Sequence, residues 1–113
     1  MQKADWMEEF PGAITVTDAE GKIIYMNRRA AQSFEQEGGL ALIGQNVMDC
    51  HRPESREKIK KILESGRPNI YTIEKQGKKK LIYQTAWTEN GQLRGLVELS
   101  LEIPGDMPHF IRE

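Results

Sequence analysis

The stretch Gly95-Leu-Val-Glu-Leu-Ser-Leu-Glu-Ile103 decides the fold of this chain. The odd-numbered positions from 97 to 103 are all apolar, whereas the even positions are mostly Glu and Ser. This period of two is the pattern of a β-strand whose two faces meet different environments. Directly upstream, Asn90-Gly91 supplies the two positive-φ positions of a tight hairpin turn. We therefore expect the strand to pair with one neighbour that ends near Trp87 and with another at 13–18, in the middle of an antiparallel sheet.

Composition limits the class of protein. A chain of 113 residues with 38% hydrophobic and 29% charged residues is typical of one soluble globular domain. No apolar run is long enough to cross a bilayer or to act as a signal peptide, so we expect a cytoplasmic protein. The single cysteine, Cys50, excludes an internal disulfide framework and a four-thiolate zinc site. A formal charge of −1 argues against a nucleic-acid binder, which needs a concentrated basic surface.

The remaining elements follow from periodicity and from turn residues. Asn27 can cap a helix through its side-chain oxygen, and Pro53 suits the first turn of a longer helix that Gly66 ends. Residues 40–51 lack a clean period and predict short helical turns. In chain order, the pattern predicts helix 5–10, strands 13–17 and 22–26, helix 28–34, a helix from 52 to 65, and strands 69–74 and 79–87.

Four motifs, in this order and at this spacing, resemble those of PAS domains. Residues 14–27, Ile-Thr-Val-Thr-Asp-Ala-Glu-Gly-Lys-Ile-Ile-Tyr-Met-Asn, match the hydrophobic-Asp-x-x-Gly-x-Ile-x-x-x-Asn opening, and Arg-Arg-Ala-Ala follows it. Leu42-Ile43-Gly44 looks like the Leu-Ile-Gly motif. His51-Arg52-Pro53-Glu54 looks like the His-Pro-Asp region with Arg52 inserted. The last hairpin, residues 90–104, ends in Glu-Ile-Pro where the family usually has Asp-Ile-Thr.

The resemblance implies an α+β PAS fold: a five-stranded antiparallel sheet with helices on one face, preceded by a short N-terminal helix. It divides the chain into an N-terminal helix at 1–12, a PAS domain at 13–104 and a tail at 105–113. It also implies a small cavity between sheet and helices. We expect a free-standing sensory or signalling module, not an enzyme, that binds a small ligand or a protein partner in signal transduction or in the regulation of transcription.

The resemblance leaves the cofactor unknown and two alternatives open. One is a ligand-free interaction and dimerisation module, and the other is a haem-binding redox or gas sensor with His51 as the candidate ligand. A LOV-type flavin photosensor is excluded, because Val47 follows Gly44-Gln45-Asn46 where the photosensor needs a cysteine. Cys50 lies beside His51 and Arg52, so its thiol is a candidate for redox activity, although a buried cysteine usually acts as a small hydrophobe.

The family's register predicts which face each side chain of the sheet meets. It turns Thr15 and Thr17 toward the helices and the apolar residues of 97–103 outward. That would leave an apolar outer face larger than a monomer usually exposes, unless the N-terminal helix, through Trp6, Met7 and Phe10, and a second subunit cover it. We therefore expect a homodimer through these surfaces. The competing assignment is that this apolar face is the core beneath the helices.

The same register places Glu98 in an apolar pocket. A buried carboxylate needs a hydrogen-bond donor, so we expect Glu98 to meet a protein donor or to orient a small polar or cationic ligand. The protein donors considered are Tyr83, Gln84, Thr15 and His51. The predicted ligand-binding residues are Glu98, Ser100, Tyr83, Thr15, Thr17, Met26, Phe34, Met48 and His51.

Overall fold

The computed structural model describes residues 5–47 and 53–113. Its helices are α1 (Asp5–Glu9), α2 (Arg28–Ser33) and α3 (Pro53–Ser65), and single 3-10 turns span Glu35–Glu37 and Gly39–Leu42. Its strands are β1 (Ala13–Thr17), β2 (Ile23–Met26), β3 (Asn69–Lys75), β4 (Lys78–Glu89) and β5 (Gln92–Ile103). None of the helices within the described residues is long and apolar enough to cross a membrane.

The five strands form one sheet in the order β2-β1-β5-β4-β3, and every pairing is antiparallel. The central position of β5, between β1 and β4, confirms the prediction. The β4–β5 turn has positive φ at both Asn90 (54°) and Gly91 (77°), as the Asn-Gly pair predicted. The fold is the predicted α+β arrangement.

The sheet separates two apolar clusters, one on each face. The cluster beneath the helices consists of Ala13, Ile23, Met26, Ala30, Leu42, Val47, Ile59, Ile62 and Leu96. On the outer face, Ile14, Val16 and Tyr25 pack with Met7, Phe10, Trp87, Val97 and Leu99. Leu96 and Val97 thus meet opposite faces, as the register predicted. The competing assignment, in which the odd-numbered side of β5 packs under the helices, is wrong.

Helix α1 covers part of the outer face from within the same chain. Met7 and Phe10 pack on the outer cluster, which leaves Ile14 and Val16 nearly inaccessible to solvent. Trp6 was expected to share this role, but it stays 63% exposed and meets only the edge of Phe10, at 5.7 Å between ring centroids. A five-residue helix turns only part of its circumference toward the sheet, so Trp6 does not share this role within one chain, and its part in a dimer stays a prediction.

Asn27 connects the N-terminal helix to the rest of the fold. Its Oδ1 accepts from the backbone N–H groups of Ile14 and Ala30, both at 3.0 Å, so it is the predicted cap of α2. Its Nδ2 donates to the carbonyl oxygens of Met7 and Gly12, both at 2.9 Å. The side chain is fully buried with every amide hydrogen-bonding group paired.

A second link to α1 runs through Tyr25, whose hydroxyl donates to Glu8 Oε2 at 3.0 Å. Burial, together with this hydrogen bond and the charge of Glu8, raises the pKa of Tyr25 to about 12. The phenol therefore stays protonated and able to donate at every physiological pH.

Candidate ligand-binding cavity

A cavity lies between the inner face of the sheet and the chain that follows α2. Its main compartment has a volume of about 470 Å³. A side compartment of about 200 Å³ shares Thr15, Phe34 and Glu98 with it. The main compartment is lined by Thr15, Ile23, Met26, Phe34, Glu37, Leu42, Gln45, Val47 and Glu98. The side compartment adds Ala13, Ser33, Tyr71, Ile73, Lys75, Lys80, Ile82 and Ser100.

The wall opposite the sheet is held in place by backbone hydrogen bonds. Ile23 N donates to Gln45 O and Gly44 N donates to Ile23 O, both at 2.8 Å, which pins this wall to β2. Gly39 begins the second 3-10 turn with φ of 55°, and a Cβ there would lie 3.3 Å from Ala31 O. Glycine therefore allows the chain to reverse tightly against α2 and leaves the space beneath it open.

Phe34 forms the boundary between the two compartments. The sequence predicts a helix through residue 34, but α2 ends at Ser33 because Phe34 leaves the helical region (φ −109°, ψ 24°). Its ring lines both compartments and stays partly exposed to solvent. The end of the helix thus supplies an aromatic wall to the cavity.

Glu98 is the polar centre of the cavity and the end of a hydrogen-bonded chain across β3, β4 and β5. Gln84 is buried, and its Nε2 donates to Glu98 Oε2 at 2.7 Å. Asn69 Nδ2 donates to Gln84 Oε1 at 2.9 Å, so the Gln84 amide is engaged at both ends. Of the four protein donors predicted for Glu98, Gln84 is the one that the structure shows.

Glu98 has no cationic partner among residues 5–47 and 53–113. No Lys, Arg or His nitrogen in that part of the chain forms an ion pair with it. Its field nevertheless reaches Tyr71 in the side compartment. Burial and, secondarily, the charge of Glu98 raise the pKa of Tyr71 above its ordinary value, so Tyr71 remains a neutral phenol.

The structure brings several predicted site residues together. Thr15, Met26, Phe34 and Glu98 line the main compartment, and Ser100 lines the side compartment. Their shared location agrees with the expected cavity. Ligand binding by these residues stays a prediction.

Two predicted residues lie elsewhere in the described structure. Tyr83 pairs with Leu99 and shares its outer face, because directly opposed residues of a sheet point the same way. Thr17 is buried, but its Oγ1 accepts from Leu96 N at 3.1 Å and donates to Asp18 O at 2.9 Å. Thr17 therefore joins β1 to β5 instead of lining the cavity. The predictions for Met48, Cys50 and His51 fall outside the described residues.

Sequence reasoning missed several lining residues because they lie on irregular chain. Glu37, Leu42, Gln45 and Val47 belong to the turns after α2, which have no period from which an inward face can be read. The Gly38-Gly39 pair was the available signal, since two consecutive glycines before an apolar segment indicate a tight reversal of the chain.

The His, Cys, Asp and Glu side chains of the described residues are the candidate ligands of a metal ion or a haem. Within residues 5–47 and 53–113, no group of three or more His, Cys, Asp or Glu side chains is placed to hold a metal ion. The single histidine in these ranges, His109, is exposed in the tail and lines neither compartment. A haem ligand is therefore not found within the described part of the cavity.

Comparison with solved structures identifies close matches in fold. The C-terminal domain of a Streptococcus mutans protein aligns with a TM-score of 0.69 at 22% identity, covering 85% of this chain and 78% of that one. The Aer2 receptor from Vibrio cholerae, described as a dual PAS-heme oxygen sensor, aligns with a TM-score of 0.63 at 19% identity, covering 82% and 95%. VqmA bound to DPO, a protein of Vibrio cholerae, aligns with a TM-score of 0.65 at 13% identity, covering 87% and 55%.

Comparison of the sequence with family models decides to which family the chain belongs. No curated protein matches the chain significantly. The family model for the PAS fold matches residues 4–86, which is most of the chain. That match agrees with the strand order, with α2 and α3 on one face and with the cavity on that side of the sheet. The chain belongs to the PAS fold family.

Proposed function

We propose that this protein is a sensory module of a signal-transduction system and that it binds a small molecule in the cavity. The observation that carries the proposal is a half-buried, hydrogen-bonded carboxylate inside an otherwise largely apolar compartment of about 470 Å³. Apolar walls with a few placed polar groups are the usual composition of a small-molecule site. The similar structures include the Aer2 receptor, an oxygen sensor, and VqmA bound to DPO, which supports a sensory role.

Glu98 orients the ligand in this proposal. The Gln84 amide holds one carboxylate oxygen, so the group is fixed before any ligand arrives. A prearranged acceptor loses little conformational entropy when a ligand donor binds it. The neighbouring strand adds the hydroxyl-bearing side chain of Thr15 to the same wall.

The substitution Glu98→Gln is expected to abolish ligand retention while leaving the fold intact. The variant amide oxygen can still accept from Gln84, so we expect the free energy of unfolding to change by less than about 1 kcal/mol. Loss of the charged acceptor should lower affinity about tenfold or more, because hydrogen bonds to charged groups contribute about 1.5–3 kcal/mol. Native mass spectrometry of protein purified without denaturation measures the retained ligand.

The matched control is Glu102→Gln, four residues along the same strand, where an exposed ion pair with Lys78 contributes little. We expect this variant to retain ligand like the wild type. A large loss of stability in Glu98→Gln, with no ligand found in either protein, would instead assign Glu98 a structural role. A visible absorption spectrum of the wild-type protein tests the haem alternative, which requires a haem absorption band.

We further propose that the module forms a homodimer through α1 and the part of the outer sheet face that α1 leaves open. This open outer strip consists of Ile70, Leu81, Tyr83, Leu101 and Ile103. Ile70 is 50% exposed, and Trp6 is 63% exposed on α1, the helix that packs on this face through Met7. Exposed aromatic and aliphatic side chains on one surface favour an interface between copies of the chain.

Trp6→Glu is expected to weaken such a dimer by about 30-fold, since a central interface tryptophan commonly contributes about 2 kcal/mol. Trp6 makes only the edge contact with Phe10, so the monomer fold should be preserved. Light scattering across a concentration series measures the dissociation constant. Phe110→Glu, an exposed aromatic residue in the tail, is the matched control and should leave association unchanged. A wild-type protein that is monomeric at micromolar concentration would contradict the dimer.

A further inference from the structure

We propose that the ligand of this cavity is an organic cation, an apolar body that carries a protonated amine, and that its nitrogen binds Glu98. This inference rests on the proposed small-molecule function and specifies the chemical class of the ligand. It follows from the charges of the residues that line the main compartment, from the hydrogen bonding of Glu98 and from the compartment that Lys75 and Lys80 line.

The described lining of the main compartment is negatively charged at its polar end. Two carboxylates, Glu37 at the exposed rim and Glu98 deeper inside, are the ionisable groups among the nine lining residues. Among residues 5–47 and 53–113, no residue that lines this compartment is a lysine, an arginine or a histidine. An anionic ligand would therefore meet two like charges without compensation, whereas a cation meets two attractive ones.

The Glu98 carboxylate can accept more hydrogen bonds than the described residues donate to it. Gln84 donates to Oε2, and within residues 5–47 and 53–113 no other side chain donates to this carboxylate. The Gln84 amide cannot neutralise the charge. Partial burial makes an unpaired carboxylate unfavourable, and a bound ammonium group would supply both the second hydrogen bond and the opposite charge.

The lysines of the cavity line only its side compartment. Lys75 and Lys80 line the side compartment and not the main one. Neither forms an ion pair with Glu98. Although Glu98 lines both compartments, it has no ion pair with either lysine, so its carboxylate is available to a ligand nitrogen in the main compartment.

The body of the ligand is specified by the remaining walls. Ile23, Met26, Leu42 and Val47 present hydrocarbon to the main compartment. Burying an alkyl or aryl group there is favourable because it removes apolar surface from water. The compartment thus fits an amine with an apolar substituent better than a strongly hydrated polyamine or sugar.

Three unbranched six-carbon probes test the charge preference: hexylamine, hexanol and hexanoate. Titrations followed by NMR chemical shifts tolerate weak binding, and the Leu42 and Val47 methyl groups report on the main compartment. We expect hexylamine to bind about tenfold more tightly than hexanol and hexanoate to bind least. In Glu98→Gln, hexylamine should fall to the affinity of hexanol, whereas in Glu102→Gln it should not change.

A measurement on the wild-type protein guards against misfolding of the variant. Added salt should weaken binding of hexylamine and leave hexanol unaffected, because only the charged probe is subject to screening. Glu37→Gln at the exposed rim is a second variant that removes charge without touching the sheet, and Glu35→Gln, which lines neither compartment, is its control.

Two results would overturn the inference, and they differ in what else they affect. If hexanol or hexanoate shifts the Leu42 and Val47 methyl groups at lower concentration than hexylamine, the cation is wrong but the cavity still binds small molecules. If none of the three probes shifts these methyl groups and the purified protein retains no small molecule, the proposed function fails as well.

Discussion

Replacing Gly95 with alanine is expected to destabilise the protein by more than about 3 kcal/mol, enough to leave much of it unfolded at physiological temperature. A Cβ at this position would lie 1.9 Å from the carbonyl oxygen of Thr17 and 2.7 Å from its carbonyl carbon. These are backbone atoms, so no rotamer change can relieve the clash. Relief would require β1 and β5 to separate where they meet.

The surrounding hydrogen bonds make that separation costly. The Thr17 carbonyl accepts from Trp87 Nε1 at 3.0 Å, and the Thr17 hydroxyl accepts from Leu96 N. Moving Thr17 away from Gly95 would weaken both bonds, in addition to the strand pairing.

Urea denaturation followed by circular dichroism measures the effect of Gly95→Ala. Gly105→Ala is the control, because nothing lies within 4 Å of a Cβ built at Gly105 and its φ is not positive. A loss of less than about 1 kcal/mol in Gly95→Ala would show that the close approach of Thr17 is not a constraint of the fold.

Asn27→Ala is the second substitution with a large expected effect, a loss of about 4 kcal/mol in the free energy of unfolding. The alanine would leave the N–H groups of Ile14 and Ala30 and the carbonyl oxygens of Met7 and Gly12 without their side-chain partner. Each unsatisfied buried group costs about 1–3 kcal/mol, and water entering the space left by the side chain recovers part of this. Thermal and urea unfolding measure the loss.

Asn27→Asp tests the hydrogen bonds that the Asn27 side chain accepts separately from those that it donates. The carboxylate can still accept from Ile14 and Ala30, but it presents an oxygen to the carbonyls of Met7 and Gly12. We expect α1 to detach, with increased exposure of Phe10, while the cap of α2 persists. Gln32→Ala on the exposed side of α2 should have little effect on stability. Equal stability of Asn27→Asp and the wild type would contradict the tethering of α1.

The parts of the fold that sequence predicted correctly are those with local signals. The Asn90-Gly91 hairpin, the alternation along β5 and the capping role of Asn27 each depend on a few neighbouring residues. Their physical causes are backbone conformation and burial of one face, which a short stretch of chain specifies by itself.

The parts that sequence missed depend on residues that are distant along the chain. Nothing near Gly95 in the sequence reveals that the Thr17 carbonyl will pass beside it. Likewise, the bonds from Asn27 to Met7 and Gly12 exist only once α1 has folded back. The prediction placed Tyr83 at the cavity, whereas it lies on the outer face. Which face Tyr83 meets depends on the register of β4, which is set by pairing with β5.

In the candidate site, the position of Glu98 on the central strand was predictable, whereas the residues that surround it were not. The register implied by the resemblance to PAS domains indicated that Glu98 turns inward, and the polar character of a buried carboxylate indicated a donor. The opposite wall, with Glu37 and Gln45, comes from turns whose side-chain directions depend on each φ and ψ angle.

The central position of β5 also has a consequence for how the protein is made. The Thr17–Leu96 hydrogen bond spans 79 residues, so the ribosome must release most of the chain before β1 meets its second neighbour. Until then the β1–β2 hairpin has only one strand partner, and the unpaired edge of β1 is open to other chains. Nascent protein is therefore most prone to aggregate in the interval between synthesis of β2 and emergence of β5.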